Sequence, residues 1–202
     1  MGFGLIFMGW VTLLFFKIMP VGIAGSLLMH RGLCKLSQYG EAFVRAKHAC
    51  EGMLAYFVLF GVMWTLDITG VFRFTQNRVL VYADEILYYV VLLIFAYYLY
   101  KGLGDISRQT GFDKGIARER KCISLLLVFM VFSAVRVGAY FFGIEMYLRL
   151  PMLIYEMLWL VYSAVYIYSC YMMIATQEII DDENRKMREY DKKYSMLKRK
   201  KK

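Results

Sequence analysis

Proline is nearly missing from this chain, with two in 202 residues, and no Pro-rich or Ser/Gly-rich stretch separates one part from another. That scarcity excludes a layout of separate domains joined by flexible linkers. Residues 1–16 carry no charged side chain at all. Lacking a basic n-region and a small-residue cleavage site, the N-terminus does not read as a removable signal peptide. "MGFGLI" also lacks the Ser or Thr that a myristoylation motif places at its sixth position. The four cysteines form no CxxC and the two histidines no HExxH, so no metal site is expected. There is no GxGxxG, no P-loop and no haem-ligand pair in an apolar stretch, so no cofactor is expected either.

What the chain has is apolar surface. Hydrophobic residues make up 60% of it and aromatics 17%, more than a soluble domain carries. Five apolar stretches, at 3–28, 52–72, 79–100, 122–143 and 151–175, are each long enough to cross a bilayer. A chain in lipid must satisfy its own backbone hydrogen bonds, so these stretches are expected to be helical. They are too long for β-barrel strands and do not alternate in polarity, which excludes that architecture. The expected fold is an all-α integral membrane bundle of about five transmembrane helices. Residues 1–176 form the membrane domain, and residues 177–202 form a basic, amphipathic cytoplasmic tail helix.

The net charge of +9 is distributed as topology demands. Arg31, Lys35, Arg45 and Lys47 lie between the first two stretches, and six further bases lie between the third and fourth. Ten more follow residue 176, whereas 73–78 holds Arg73 and Arg78 and 144–150 only Arg149. The positive-inside rule assigns the basic loops and the tail to the cytoplasm and, with five crossings, the N-terminus to the outside. No exposed basic face is left for a nucleic acid. In the tail, Lys198, Arg199, Lys200, Lys201 and Lys202 are expected to anchor on anionic headgroups, and the alternative is a docking helix for a second copy or a cytosolic partner.

The first stretch has two readings. Lys17, Pro20 and "VGIAGS" fit one long tilted helix kinked at Pro20, which is the expectation adopted. They also fit a re-entrant pair of half-helices turning at "KIMP", which would put the N-terminus inside. "GFGLIFMGW" and "RGLCKLSQY", in a stretch of about 40 residues, resemble uncharacterised multi-pass membrane proteins of Firmicutes-type bacteria. The resemblance implies a bacterial inner-membrane protein and carries no activity with it.

Charged residues inside apolar stretches mark function in membrane proteins. Asp67, Asp84, Glu85, Arg136 and Glu156 fall at similar heights, about 7–10 Å below the outer boundary at 1.5 Å per residue. Lys17 lies deeper and reaches this layer only by extending its side chain outward. Glu156 is the expected partner of Arg136, across the short loop of a helical hairpin, with Asp67 and Asp84 as alternatives. Ser133, Arg136 and Tyr140 share one face of their helix, and Glu156, Trp159, Ser163, Tyr166 and Cys170 share another. Trp64 and Tyr88 are expected to face the bundle beside Asp67 and Asp84.

Four carboxylates against one or two bases form an acid-rich layer that takes a proton or a cation, or else serves as polar glue between helices with Asp84 and Glu85 reaching the headgroups. The leading expectation is a non-enzymatic membrane protein handling a proton, a cation or a small ligand. Its rivals are a structural or regulatory subunit of a larger complex, and a thiol enzyme using Cys34, Cys50, Cys122 and Cys170 with His30 and His48.

Overall fold

The computed structural model describes residues 2–13, 19–141, 146–148 and 150–173, and every regular element among them is helical. Two shorter helices come first, α1 (Phe3–Thr12) and α2 (Met19–Leu36), the second followed by a 3-10 turn at Ser37–Tyr39. Four helices long and apolar enough to cross a membrane follow: α3 (Glu41–Ile68), α4 (Arg78–Gln109), α5 (Asp113–Phe141) and α6 (Met146–Met173). The chain is a multi-pass membrane protein built as a helical bundle. Lys17, Arg149 and the tail at 177–202, with its basic cluster Lys198–Lys202, lie outside the described residues.

The boundaries of the long helices have local causes. Asn77 caps α4, its Oδ1 accepting from the backbone N–H groups of Val79 and Leu80 at 3.2 and 3.4 Å. Gly70 and Gly111 follow the ends of α3 and α4 at φ 73° and 67°, the left-handed conformation that stops a helix and favours glycine. Helices of 28 to 32 residues span about 42–48 Å, so their ends project beyond an apolar layer of about 30 Å.

One continuous helix over 3–28 is not what forms. The first stretch is two antiparallel helices, α1 and α2, packed along their lengths. Gly2 lies against Gly32 and Leu36 at one end, while Gly9 and Thr12 lie against Gly25 toward the other. A Cβ on Gly9 would sit 2.6 Å from the Gly25 carbonyl oxygen, and one on Gly32 would sit 2.6 Å from that of Gly2. Glycine is therefore what lets the two backbones touch, and small residues at such contacts are the usual means of tight helix pairing in lipid. Pro20 falls in the first turn of α2, where its missing N–H costs nothing, so it starts a helix and does not kink one. Gly2 and Leu36 end on the same side of the bundle.

This hairpin enters the bundle part-way. Phe3 meets Phe43 near the start of α3, and Gly22 packs on Phe57 near its middle. Beyond that level α3 is uncovered, and Val58, Leu59, Val62, Leu66 and Ile68 face outward. At its tip, Trp10 is fully buried and donates from Nε1 to the Leu160 carbonyl at 3.0 Å. Its ring lies 6.0–6.1 Å from Phe95, Tyr100 and Trp159, and Trp159 in turn stacks on Phe129 at 5.0 Å. An aromatic layer thus closes the bundle at mid-height.

Helix α6 is the central one of the four. Of its most apolar window 44% is buried, against 22% for α3 and 28% for α4 and α5. Its outward residues, Ile154, Leu158, Val161, Val165, Tyr168 and Met172, recur every three or four positions as a single lipid-facing stripe. The opposite face holds Glu156, Trp159, Ser163, Tyr166 and Cys170, all buried, as the helical spacing predicts.

Candidate functional site

One half of the bundle gathers acids, tyrosines and one arginine on four helices. Their placement follows from α4, whose "DEILYY" segment sets Asp84 and Tyr88 one turn apart on one line and Glu85 and Tyr89 one turn apart on the next. The first line faces α3, where the Tyr56 hydroxyl lies beside Asp84 and its ring lies 5.8 Å from that of Tyr88. The second faces α5. Arg136 donates from Nη2 to Glu85 Oε1 at 2.5 Å and from Nη1 to the Tyr89 hydroxyl at 3.2 Å.

The partner of Arg136 is therefore Glu85 on α4, and neither Glu156 nor Asp67 nor Asp84. Arg136 meets α6 at Met152, its Nη1 standing 3.7 Å from Sδ. Glu156 is one turn, about 5.4 Å, further along α6 toward the middle of the bundle. There it is 2% exposed and interacts with the hydroxyls of Tyr88 and Tyr89. Tyr89 consequently stands between Glu156 and the Arg136–Glu85 pair. A guanidinium held by a carboxylate in apolar surroundings is the pairing that makes an intramembrane arginine tolerable.

Asp84, Glu85, Arg136 and Glu156 thus belong to one cluster with Tyr56, Tyr88 and Tyr89. Asp67 does not join it. Its two oxygens accept from the backbone N–H and the hydroxyl of Thr75, at 3.3 and 2.8 Å, and so tie down the loop between α3 and α4. Trp64 turns outward, 47% exposed, and is a lipid-facing residue; Tyr88 is buried as expected. Ser133 shares the buried face of Arg136 and bonds to its own helix at the Phe129 carbonyl.

The tyrosines are what the sequence reading missed. Tyr56 and Tyr89 bring the acids into contact across helices, and the signal for Tyr89 was present as its one-turn spacing from Glu85. Counting only these residues, three carboxylates face one guanidinium, an excess of two negative charges when all are ionised. Like charges in a poorly solvating interior do not all stay ionised unless a cation joins them.

The opposite end of the bundle has different chemistry. Glu51 is flanked by His30 at 3.1 Å, His48 at 3.0 Å and Lys47 at 3.9 Å. Cys34 is exposed and 3.9 Å from the His30 ring, while Cys50, Cys122 and Cys170 are buried. In "HAC" the two reactive groups diverge: His48 points out to Glu51, and Cys50 turns into the core to donate to the Ser26 carbonyl at 3.4 Å. Among the described residues no group of three or more His, Cys, Asp or Glu is arranged to hold a metal ion.

Comparison with protein-family models, with curated proteins and with solved structures finds no match to this chain.

Proposed function

We propose that this is a small, non-enzymatic, multi-pass protein of a bacterial inner membrane whose outer acid-rich cluster handles a proton, a cation or a small cationic ligand. The observation that carries the reading is the clustering of Asp84, Glu85 and Glu156 with a single guanidinium, Arg136, which pairs with Glu85, inside a bundle whose outer surface is apolar. Intramembrane acids exceeding their bases are costly as mere glue between helices and useful as a reversible cation site.

The positive-inside bias supports a cytoplasmic location for the ends of α2, α4 and α6, with the acid cluster toward the outer face. Because α1 runs antiparallel to α2, the same bias puts the N-terminus on the cytoplasmic side together with the tail. The test is flux into liposomes containing the purified protein, followed by pH- and cation-sensitive dyes. Glu85→Gln and Glu156→Gln should abolish it while the protein still inserts and remains monodisperse. A wild-type protein that carries no ion and instead crosslinks to one defined membrane partner would replace this reading with that of a complex subunit.

A further inference from the structure

Below the acid cluster, a second set of polar side chains continues along the buried face of α6. It occupies the seam that α6 shares with α4 and α5. Ser163 Oγ lies 2.5 Å from the Tyr100 hydroxyl and itself donates to the Trp159 carbonyl at 2.7 Å. Further in, Ser107 Oγ is 4.0 Å from Cys170 Sγ, and Cys122 is buried nearby. The seam ends at Glu119 on α5, 2% exposed, which accepts from Arg108 Nη2 at 2.5 Å. Arg108 also bonds to Asp105 at 2.7 Å, and half-exposed, it faces the inner end of the bundle. Gly104 provides the room, because a Cβ there would collide with the Glu119 carboxylate.

Two buried polar atoms in this seam are not accounted for by packing. The Tyr166 hydroxyl faces Ser107, Cys170 and Glu119, and the Trp159 indole N–H faces Tyr100, yet neither makes a hydrogen bond of good geometry. Both residues are fully buried. Polar atoms in that position are normally satisfied, and ordered water is the usual means where protein groups fall short.

We infer that the seam is a proton path joining the outer acid cluster to Glu119 at the inner end, so that the species handled by the cluster is the proton. This rests on the proposed role of the cluster and narrows it. From Glu156 to Cys170 the path runs 14 residues of α6, about 21 Å or two-thirds of the apolar thickness. Along α6 the side chains after Glu156 are Ser163, two turns on, then Tyr166 and Cys170 at about a turn each, too sparse to coordinate a metal ion along the way. A proton arriving on Glu156, whose neighbours are Tyr88 and Tyr89, is passed along water and hydroxyl groups, each of which takes up one proton as it releases another. One proton leaves to Glu119, whose neighbours are Arg108 and Tyr166, and from there to the inner solution, so nothing accumulates on the path. Trp159, which donates but does not accept, orients the chain without relaying.

The test uses the full-length protein in liposomes with an internal pH dye and an imposed pH gradient. Tyr166→Phe removes one oxygen and keeps the ring, and Glu119→Gln removes one charge. Each should lower proton flux by about tenfold or more, the effect of losing one well-placed hydrogen-bonding group at a barrier. Tyr97→Phe, on the lipid-facing side of α4, should conduct like the wild type. Proton flux that is lost in Glu156→Gln but unchanged in both Tyr166→Phe and Glu119→Gln would overturn the path and leave the outer cluster's role standing. Wild-type flux of sodium or potassium without protons would do the same. No flux of any ion in the wild type would overturn both, and variants that lose flux together with their elution profile are replaced by Ser107→Ala and Ser163→Ala, for which the same outcomes decide.

Discussion

Removing the carboxylate from position 85 strands a guanidinium inside the bundle, and its cost can be reasoned from the geometry. Glu85→Leu deletes the 2.5 Å ion pair with Arg136, leaving that residue only the Tyr89 hydroxyl at 3.2 Å and the Met152 sulfur. Breaking a fully buried pair from one side costs about 3–5 kcal/mol. Here the side chains are 16% and 29% exposed, so part of that cost is relieved by solvent and headgroups. A loss of about 2–3 kcal/mol is expected, comparable to the cost of an unpaired arginine on insertion scales. Adding Arg136→Met removes the stranded charge and should return all but about 1 kcal/mol of the stability. The assay is reversible unfolding in mixed micelles followed by tryptophan fluorescence. Two of the three tryptophans, Trp10 and Trp159, lie together in the core and report its opening. A single variant losing under about 0.5 kcal/mol, or a double variant no better than the single, would refute the claim that Glu85 is what makes Arg136 tolerable.

Other expectations can be checked with the same preparation. Gly25→Val should destabilise the α1–α2 pair by about 1–3 kcal/mol through overpacking, whereas Gly52→Ala, with nothing near its Cβ position, should be neutral or slightly stabilising in the same unfolding assay. Trp10→Phe should cost about 1 kcal/mol for the lost bond to the Leu160 carbonyl, beyond the change in packing. Of the four cysteines, Cys34 alone should react with a bulky maleimide in the folded protein, the other three labelling only after denaturation, as mass spectrometry would show. An N-terminal epitope should be reached from the same side of sealed vesicles as that label, because Gly2 sits beside Leu36.

The four long helices were legible because each is a run of apolar residues closed by glycine, asparagine or charge, information that is local. The hairpin was not, because 3–28 is nearly uniform in hydropathy and its folding back depends on which glycines meet. Gly9 opposite Gly25 and Gly2 opposite Gly32 are pairings in space, and nothing in the order of residues marks one glycine as another's partner. Counting heights puts Asp84, Glu85, Arg136 and Glu156 in one layer, and in the structure they lie in one cluster with Tyr88 and Tyr89. Height alone is accurate to about a turn, and one turn separates Met152, which Arg136 touches, from Glu156, which it was expected to touch. Asp67 passed the same height test but lies at the end of α3, close enough to the following loop for Thr75 to claim it.

The part-way reach of α1 and α2 gives the molecule unequal cross-sections. Among the described residues six helical rods crowd one end of the bundle, while four continue to the other, so the described body is a wedge. A wedge displaces more lipid on its broad side and is squeezed less where the acyl chains are already splayed apart. Bending of the surrounding sheet and the stability of this protein are consequently coupled, and lipids that change the lateral pressure of the broad leaflet will press first on the glycine contact where the two short rods meet.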